Sequence, residues 1–225
     1  MDWILLILPV VICIAASVNV KRTFRKYSKV YNARGLTGAE TARQILDANG
    51  LTHVAVEPIS GSLTDHYDPR TNVVRLSEDV YASPSIAALG VAAHECGHAV
   101  QHAEEYAPVK IRSALVPVTN FCSHAWYFIF LAGLVLARSS VGLMLIDAAI
   151  LLFAVVALFQ FVTLPVEFDA SRRAIRILET NGFLVDEELA GTRQVLRAAA
   201  LTYVASLVNS LIQLLRLLMA SNRRR

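Results

Sequence analysis

Residues 92–101, AAHECGHAVQ, place two histidines, a glutamate and a cysteine within a few positions of a chain otherwise dominated by Leu, Val, Ala and Ile. Polar groups in such surroundings are either a buried patch tying helices together or a metal site. His94-Glu95-Cys96-Gly97-His98 is an H-E-x-x-H run. On a helix, residues four apart lie one turn apart on one face, so both imidazoles can reach one ion while Glu95 projects beside them. This spacing suits Zn²⁺, which accepts imidazole nitrogen and in catalytic sites keeps a position for water that an adjacent carboxylate can deprotonate. Two protein ligands alone would hold a metal weakly, so the reading depends on a third.

Outward from the motif, the chain has 225 residues, of which 55% are hydrophobic and only 17% charged, too apolar for an ordinary soluble domain. Three stretches, 3–20, 115–137 and 141–164, approach the length of a membrane-spanning helix, and 201–219 is a fourth, less clear one. The first has no basic region before it and reads as a retained anchor, not a cleaved leader. Three cysteines, two of them in apolar segments, make no disulfide framework. Lys21, Arg22, Arg25, Lys26 and Lys29 follow the first span, Lys110 and Arg112 precede the second, and Arg172, Arg173 and Arg176 follow the third. The turn between the second and third spans has only Arg138. This asymmetry predicts a cytoplasmic placement for 21–114 and for the chain after 164, with the N-terminus outside. The basic residues lack interleaved aromatics, so no nucleic-acid partner is expected.

Four regions are therefore expected: an N-terminal anchor (1–20), a cytoplasmic catalytic segment (21–114), a transmembrane hairpin (115–164), and a third-ligand helix with a C-terminal amphipathic or membrane helix (165–225). In the second, Thr37 and Glu40 have capping-box spacing and Asn49-Gly50 closes a short helix. HVAVEPI (53–59), LTDHYD (63–68) and NVVRLS (72–77) read as a small antiparallel sheet with an edge free to take an extended peptide. Ser83-Pro84 predicts the start of the motif helix, which runs to about Glu105. Another helix is expected to end at Asn181-Gly182. The last helix carries a polar stripe, Thr202, Ser206, Asn209, Gln213 and Arg216. The stripe and the terminal Arg223, Arg224 and Arg225 agree with a helix lying in the interface or partly inserted, against one that spans.

Glu167, in LPVEFDASRRA just beyond the third span, is the candidate third ligand. A hairpin of spans two and three returns it to the membrane face of His94 and His98, and three residues from Leu164 is about 4.5 Å of helix rise, which puts the site at the bilayer surface. The competing reading is a carboxylate favoured by the N-terminus of the following helix.

The runs GSLTDHYDPRTNVVRLSEDVY, SIAALGVAAHECGHAVQ and LPVEFDASRRA, in this order, resemble the YugP-type family of membrane zinc metallopeptidases over most of the chain. The similarity extends distantly to the HtpX and CAAX-prenyl proteases, membrane gluzincins. The resemblance implies His94, His98 and Glu167 as Zn²⁺ ligands and Glu95 as catalytic base of a metalloendopeptidase. The distant relatives carry an aspartate four residues after the glutamate ligand, where this chain has Ser171, with Asp169 two residues on. That leaves the hydrogen bonding of the ligand histidine open: Asp169 supplies it in another geometry or is a solvated charge.

Other polar residues have plainer readings. Cys96 faces away from the histidines as a small buried hydrophobe, His102 is a surface residue, and His66 is a turn histidine bonded to Asp65 or Asp68 or a substrate contact. Asn120 and His124 are expected to face the bundle interior. Asp147, inside the third span, raises a site-2-type intramembrane protease as an alternative, although residues 84–91 are too short to span. A non-catalytic zinc-binding membrane scaffold is the other. The fold expected is mainly α and integral to a membrane, three to four hydrophobic helices with a zincin-like cytoplasmic part. The expected substrates are membrane or membrane-proximal proteins, in a prokaryotic plasma membrane.

Overall fold

The computed structural model describes residues 2–222. Seven helices and three strands follow in the order α1 (Asp2–Tyr27), α2 (Gly38–Ala48), β1 (Ala55–Ile59), β2 (His66–Asp68), β3 (Val73–Ser77), α3 (Glu78–Tyr81), α4 (Ile86–Ala103), α5 (Ala107–Val135), α6 (Ser140–Thr180) and α7 (Asp186–Asn222). Four of them, α1, α5, α6 and α7, are long and apolar enough to cross a membrane. Much of their apolar surface is exposed, including Trp3, Ile14, Phe121, Phe128, Leu151 and Phe161. In water that exposure would be prohibitive at about 25 cal/mol per Å², so a bilayer is its natural solvent.

The short elements form where their local chemistry dictates. The Thr37 side chain accepts from the Glu40 N–H and the Glu40 carboxylate accepts from the Thr37 N–H, the capping box expected at the start of α2. Gly50 and Gly182, at positive φ, follow the ends of α2 and α6 as the sequence predicts. The motif helix begins two residues later than expected. Ser85 caps it by accepting from the Ala88 N–H, because the Pro84 carbonyl is engaged by the backbone and side chain of Asn32 and the Ile86 N–H is taken by Val30.

The sheet is mixed, not antiparallel. Its order is β1-β3-β2, with β1 parallel to β3 (Ala55 beside Val73) and β2 antiparallel to β3 (His66 beside Arg75). Val73, Val74, Leu76 and Ser77 are buried, so β3 takes the centre, and the half-exposed β1 and β2 fall to the edges. Pro58, which cannot donate to a ladder, is accommodated on the edge strand β1.

α4 is the axis of the compact part. It packs against α2, α6 and α7, with Ile45, Leu46, Leu76, Ile86, Leu89 and Leu178 fully buried around it. Glycines set its approach to its neighbours: a Cβ on Gly97 would lie 2.9 Å from the Ala170 carbonyl oxygen of α6, and one on Gly90 would lie 2.6 Å from Thr192 of α7.

Two long helices differ from the segmentation drawn from the sequence. The third span and the helix bearing Glu167 are one continuous element, α6, which runs through Pro165 at the loss of one backbone hydrogen bond. α7 packs along α1 and α6, and the Ser221 hydroxyl donates to Asp147 at 3.1 Å, near the turn that joins α5 to α6. It therefore runs the length of the hairpin, which a helix lying flat in the interface would not do. Arg223, Arg224 and Arg225 lie outside the described residues. Asn120 and His124 are also corrected: α5 packs chiefly on α6, and both residues are exposed, with the His124 ring 2.7 Å from the Asn120 carbonyl.

Candidate metal centre

α4 presents His94 and His98 one turn apart, and α6 crosses it closely enough at Gly97 to bring Glu167 against both. Glu167 Oε2 lies 3.4 Å from His94 Nε2 and 3.5 Å from His98 Nε2. The ligand atoms available from the three residues all lie within 4.8 Å of one another. Two ligands about 2.1 Å from one tetrahedral ion are about 3.4 Å apart, so the spacing fits zinc. Glu167 is 2% exposed, and among the described residues no donor hydrogen-bonds its Oε2. A buried carboxylate oxygen without a donor is costly, and a cation between the three side chains would satisfy it. Because Glu167 stands inside α6, the helix N-terminus reading of this residue does not apply.

The surrounding hydrogen bonds orient the donor atoms. Arg112 Nη1 donates to Glu167 Oε1 at 3.2 Å, which leaves Oε2 for a metal. Gln101 Nε2 donates to the Val166 carbonyl and to Asp169, both at 2.9 Å, so its carbonyl oxygen must face His98. That oxygen lies 3.1 Å from His98 Nδ1 and can only accept, which fixes the proton on Nδ1 and frees the Nε2 lone pair. Arg173 in turn bonds Asp169 and Glu104, both at 2.6 Å. Ser171 Oγ is 3.2 Å from His94 Nδ1. Ser171 thus contacts His94 directly, and Asp169 reaches His98 through Gln101. Burial alone would push the His98 pKa down; the adjacent Glu167 and Glu95 carboxylates outweigh it and hold the imidazole above its usual value in the absence of metal.

Gln101→Leu removes the acceptor for His98 while keeping the volume. It is expected to weaken zinc binding by about 10- to 100-fold, read by competition with a chromogenic chelator. An unchanged affinity would show that Gln101 does not orient the ring.

Glu95 is 8% exposed, and its Oε2 accepts the Tyr67 N–H of edge strand β2 at 3.1 Å. A cavity of about 290 Å³ opens here, lined by His94, Glu95, His98 and Glu167 and, from other elements, by Arg112 and Tyr203. His66, Tyr67 and His102 line it from the side of β2 and the end of α4. His66 Nδ1 lies 2.9 Å from the Thr64 carbonyl, not against Asp65 or Asp68 as the sequence suggested. His102 is exposed and Cys96 is buried with its thiol directed at the Ala42 carbonyl, both as expected. Burial pushes the Cys96 thiol well above its ordinary pKa, so it is not a thiolate ligand. Asp65 bonds the Ser77 N–H and hydroxyl, and its burial raises its pKa.

Gln101, Arg112 and Tyr203 were not singled out from the sequence. Gln101, three residues after His98 on one helix, had a detectable spacing signal; Arg112 read only as a charge near a membrane end, and Tyr203 gave no signal. Asp147 stands twenty residues before Glu167 on α6, a rise of about 30 Å, and takes no part in the cluster. α4 is not among the helices long and apolar enough to cross a membrane. The intramembrane alternative with an Asp147 ligand is excluded on both counts.

The model of a family described as "Putative neutral zinc metallopeptidase" matches residues 2–222. The chain belongs to this family. It is also 52% identical over 204 residues to "Putative membrane protease YugP" of Bacillus subtilis (strain 168), covering 91% of this chain and 89% of that protein. No solved structure matches the chain. The family supplies the metal, zinc, for which the His94, His98 and Glu167 cluster has the donor set and the spacing.

Proposed function

We propose that the chain is a membrane-embedded, zinc-dependent endopeptidase, with His94, His98 and Glu167 as zinc ligands and Glu95 as the general base. The observation that carries this reading is the convergence of two imidazoles and a buried carboxylate from a separate helix beside a second carboxylate in one cavity. Zinc held by this set supplies a Lewis acid and brings the pKa of a water towards about 7. Glu95, with one oxygen occupied by the Tyr67 N–H, keeps the other to take a proton from the attacking water and return it to the leaving amine. Arg112 holds Glu167 in place. β2 is an edge strand beside Glu95, and the proposed substrate segment lies along that edge, where the Tyr67 N–H is held by Glu95 and the Tyr67 carbonyl is the backbone acceptor.

The substrates proposed are membrane proteins or membrane-proximal segments, because Glu167 follows closely on the apolar stretch of α6 and pins the centre at the bilayer surface. The cytoplasmic side is proposed for that surface, a reading supported by the basic residues that flank the spans. In vesicles containing the full chain, a peptide fused to a membrane anchor is expected to be cut. A zinc chelator should stop the reaction and added zinc restore it. Chelator-resistant cleavage would count against the metal mechanism; equal cleavage of the unanchored peptide would remove the restriction on substrates.

A further inference from the structure

We infer that the groove between α6 and α7 is a binding site for an anionic phospholipid. A concavity of about 950 Å³ lies there, away from the catalytic cavity. Arg172 and Arg176 of α6 and Arg193 and Arg197 of α7 line it, each pair one turn apart and all four exposed. Glu179 is the acidic lining residue, and it is engaged by Arg193 at 3.4 Å. Arg172 has a long contact to Asp169 at 3.8 Å, while Arg176 and Arg197 have no acidic partner among the described residues. The groove therefore carries a surplus of guanidinium groups, whose forked donors suit phosphate oxygens.

The wall of the groove changes character along its length. Phe168 and Leu201, at 42% and 51% exposure, line the end nearer the apolar stretches of the two helices. Arg172 stands four residues beyond Phe168, about 6 Å of rise, which is about the depth of a headgroup layer. A phosphodiester at the arginines would thus leave its acyl chains running over Phe168 and Leu201 into the bilayer. Free phosphate has no use for that apolar wall, so the occupant is a lipid. Basic pockets between helices at this depth are a recurrent means of holding anionic headgroups. The assignment does not depend on the catalytic reading. Ser171, however, lines this groove and also touches His94, so the lipid would lie directly behind the metal centre.

The test uses the full chain reconstituted in equal parts of phosphatidylglycerol and phosphatidylcholine, released into mild detergent and examined by native mass spectrometry. Wild type is expected to retain phosphatidylglycerol in preference to phosphatidylcholine. R176Q/R197Q should lose that preference by about twentyfold, with zinc content unchanged as the sign of an intact fold. K21Q/R25Q, which removes two exposed charges at the end of α1, should leave it intact, and inorganic phosphate should not displace the lipid. Equal retention of the two lipids, retention by R176Q/R197Q like that of wild type, an equal loss in K21Q/R25Q, or displacement by inorganic phosphate would each overturn the proposal.

Discussion

Glu95→Gln is expected to purify with zinc bound as in wild type and to cleave an anchored peptide at least about a thousandfold more slowly. The substitution keeps shape and an acceptor for the Tyr67 N–H, so β2 stays docked on α4. It removes the capacity to accept a proton, which none of the ligand side chains can replace while engaged with a cation. Zinc content and turnover should therefore separate. A variant that is fully active would end the general-base assignment. If Glu95→Gln leaves the cellular phenotype untouched while His94→Ala abolishes it, the chain works as a zinc-bound scaffold instead.

Glu167→Ala is expected to lose zinc, with affinity reduced by more than about a hundredfold, since a ligand is worth more than the groups that orient it. The dependence of stability on zinc separates a ligand from a purely structural residue. In the apoprotein the Glu167 carboxylate accepts from Arg112 and lies against His94 and His98, so its removal sacrifices these interactions as well as relieving its burial. Arg112, its partner, is 34% exposed and can turn to water. Adding zinc should raise the melting temperature of wild type, because only the folded state holds the ion, and should leave that of Glu167→Ala almost unmoved. Zinc content equal to wild type in this variant would sink the three-ligand centre and with it the peptidase reading.

The parts of this molecule legible in the sequence are those governed by local periodicity. His94 and His98 lie one turn apart on any helix, and the Thr37 and Glu40 cap closes on itself within four residues. Glu167 was reachable because an apolar hairpin must return the chain to the face it left. Pairings decided by distant residues were not legible. β1 lies parallel to β3 because the most buried strand takes the middle of the sheet, a competition that short turns do not announce. Pro165 reads as a boundary, yet α6 passes through it. The polar stripe of α7 suggested a helix at a water interface; instead the helix packs along α1 and α6, and Thr202 and Ser206 bond carbonyls of their own helix.

The unbroken course of α6 has a mechanical corollary. Hydrocarbon-embedded segment and carboxylate share one stiff rod, while the imidazoles ride on a neighbour clamped to it backbone against backbone at Gly97. Under the proposed peptidase function, bilayer thickness, by biasing the tilt of that rod, would set the height at which peptide is presented for scission. A thinner or thicker membrane would then shift the position of the cut along a tethered substrate, as a fixed blade does when the bench beneath it is raised.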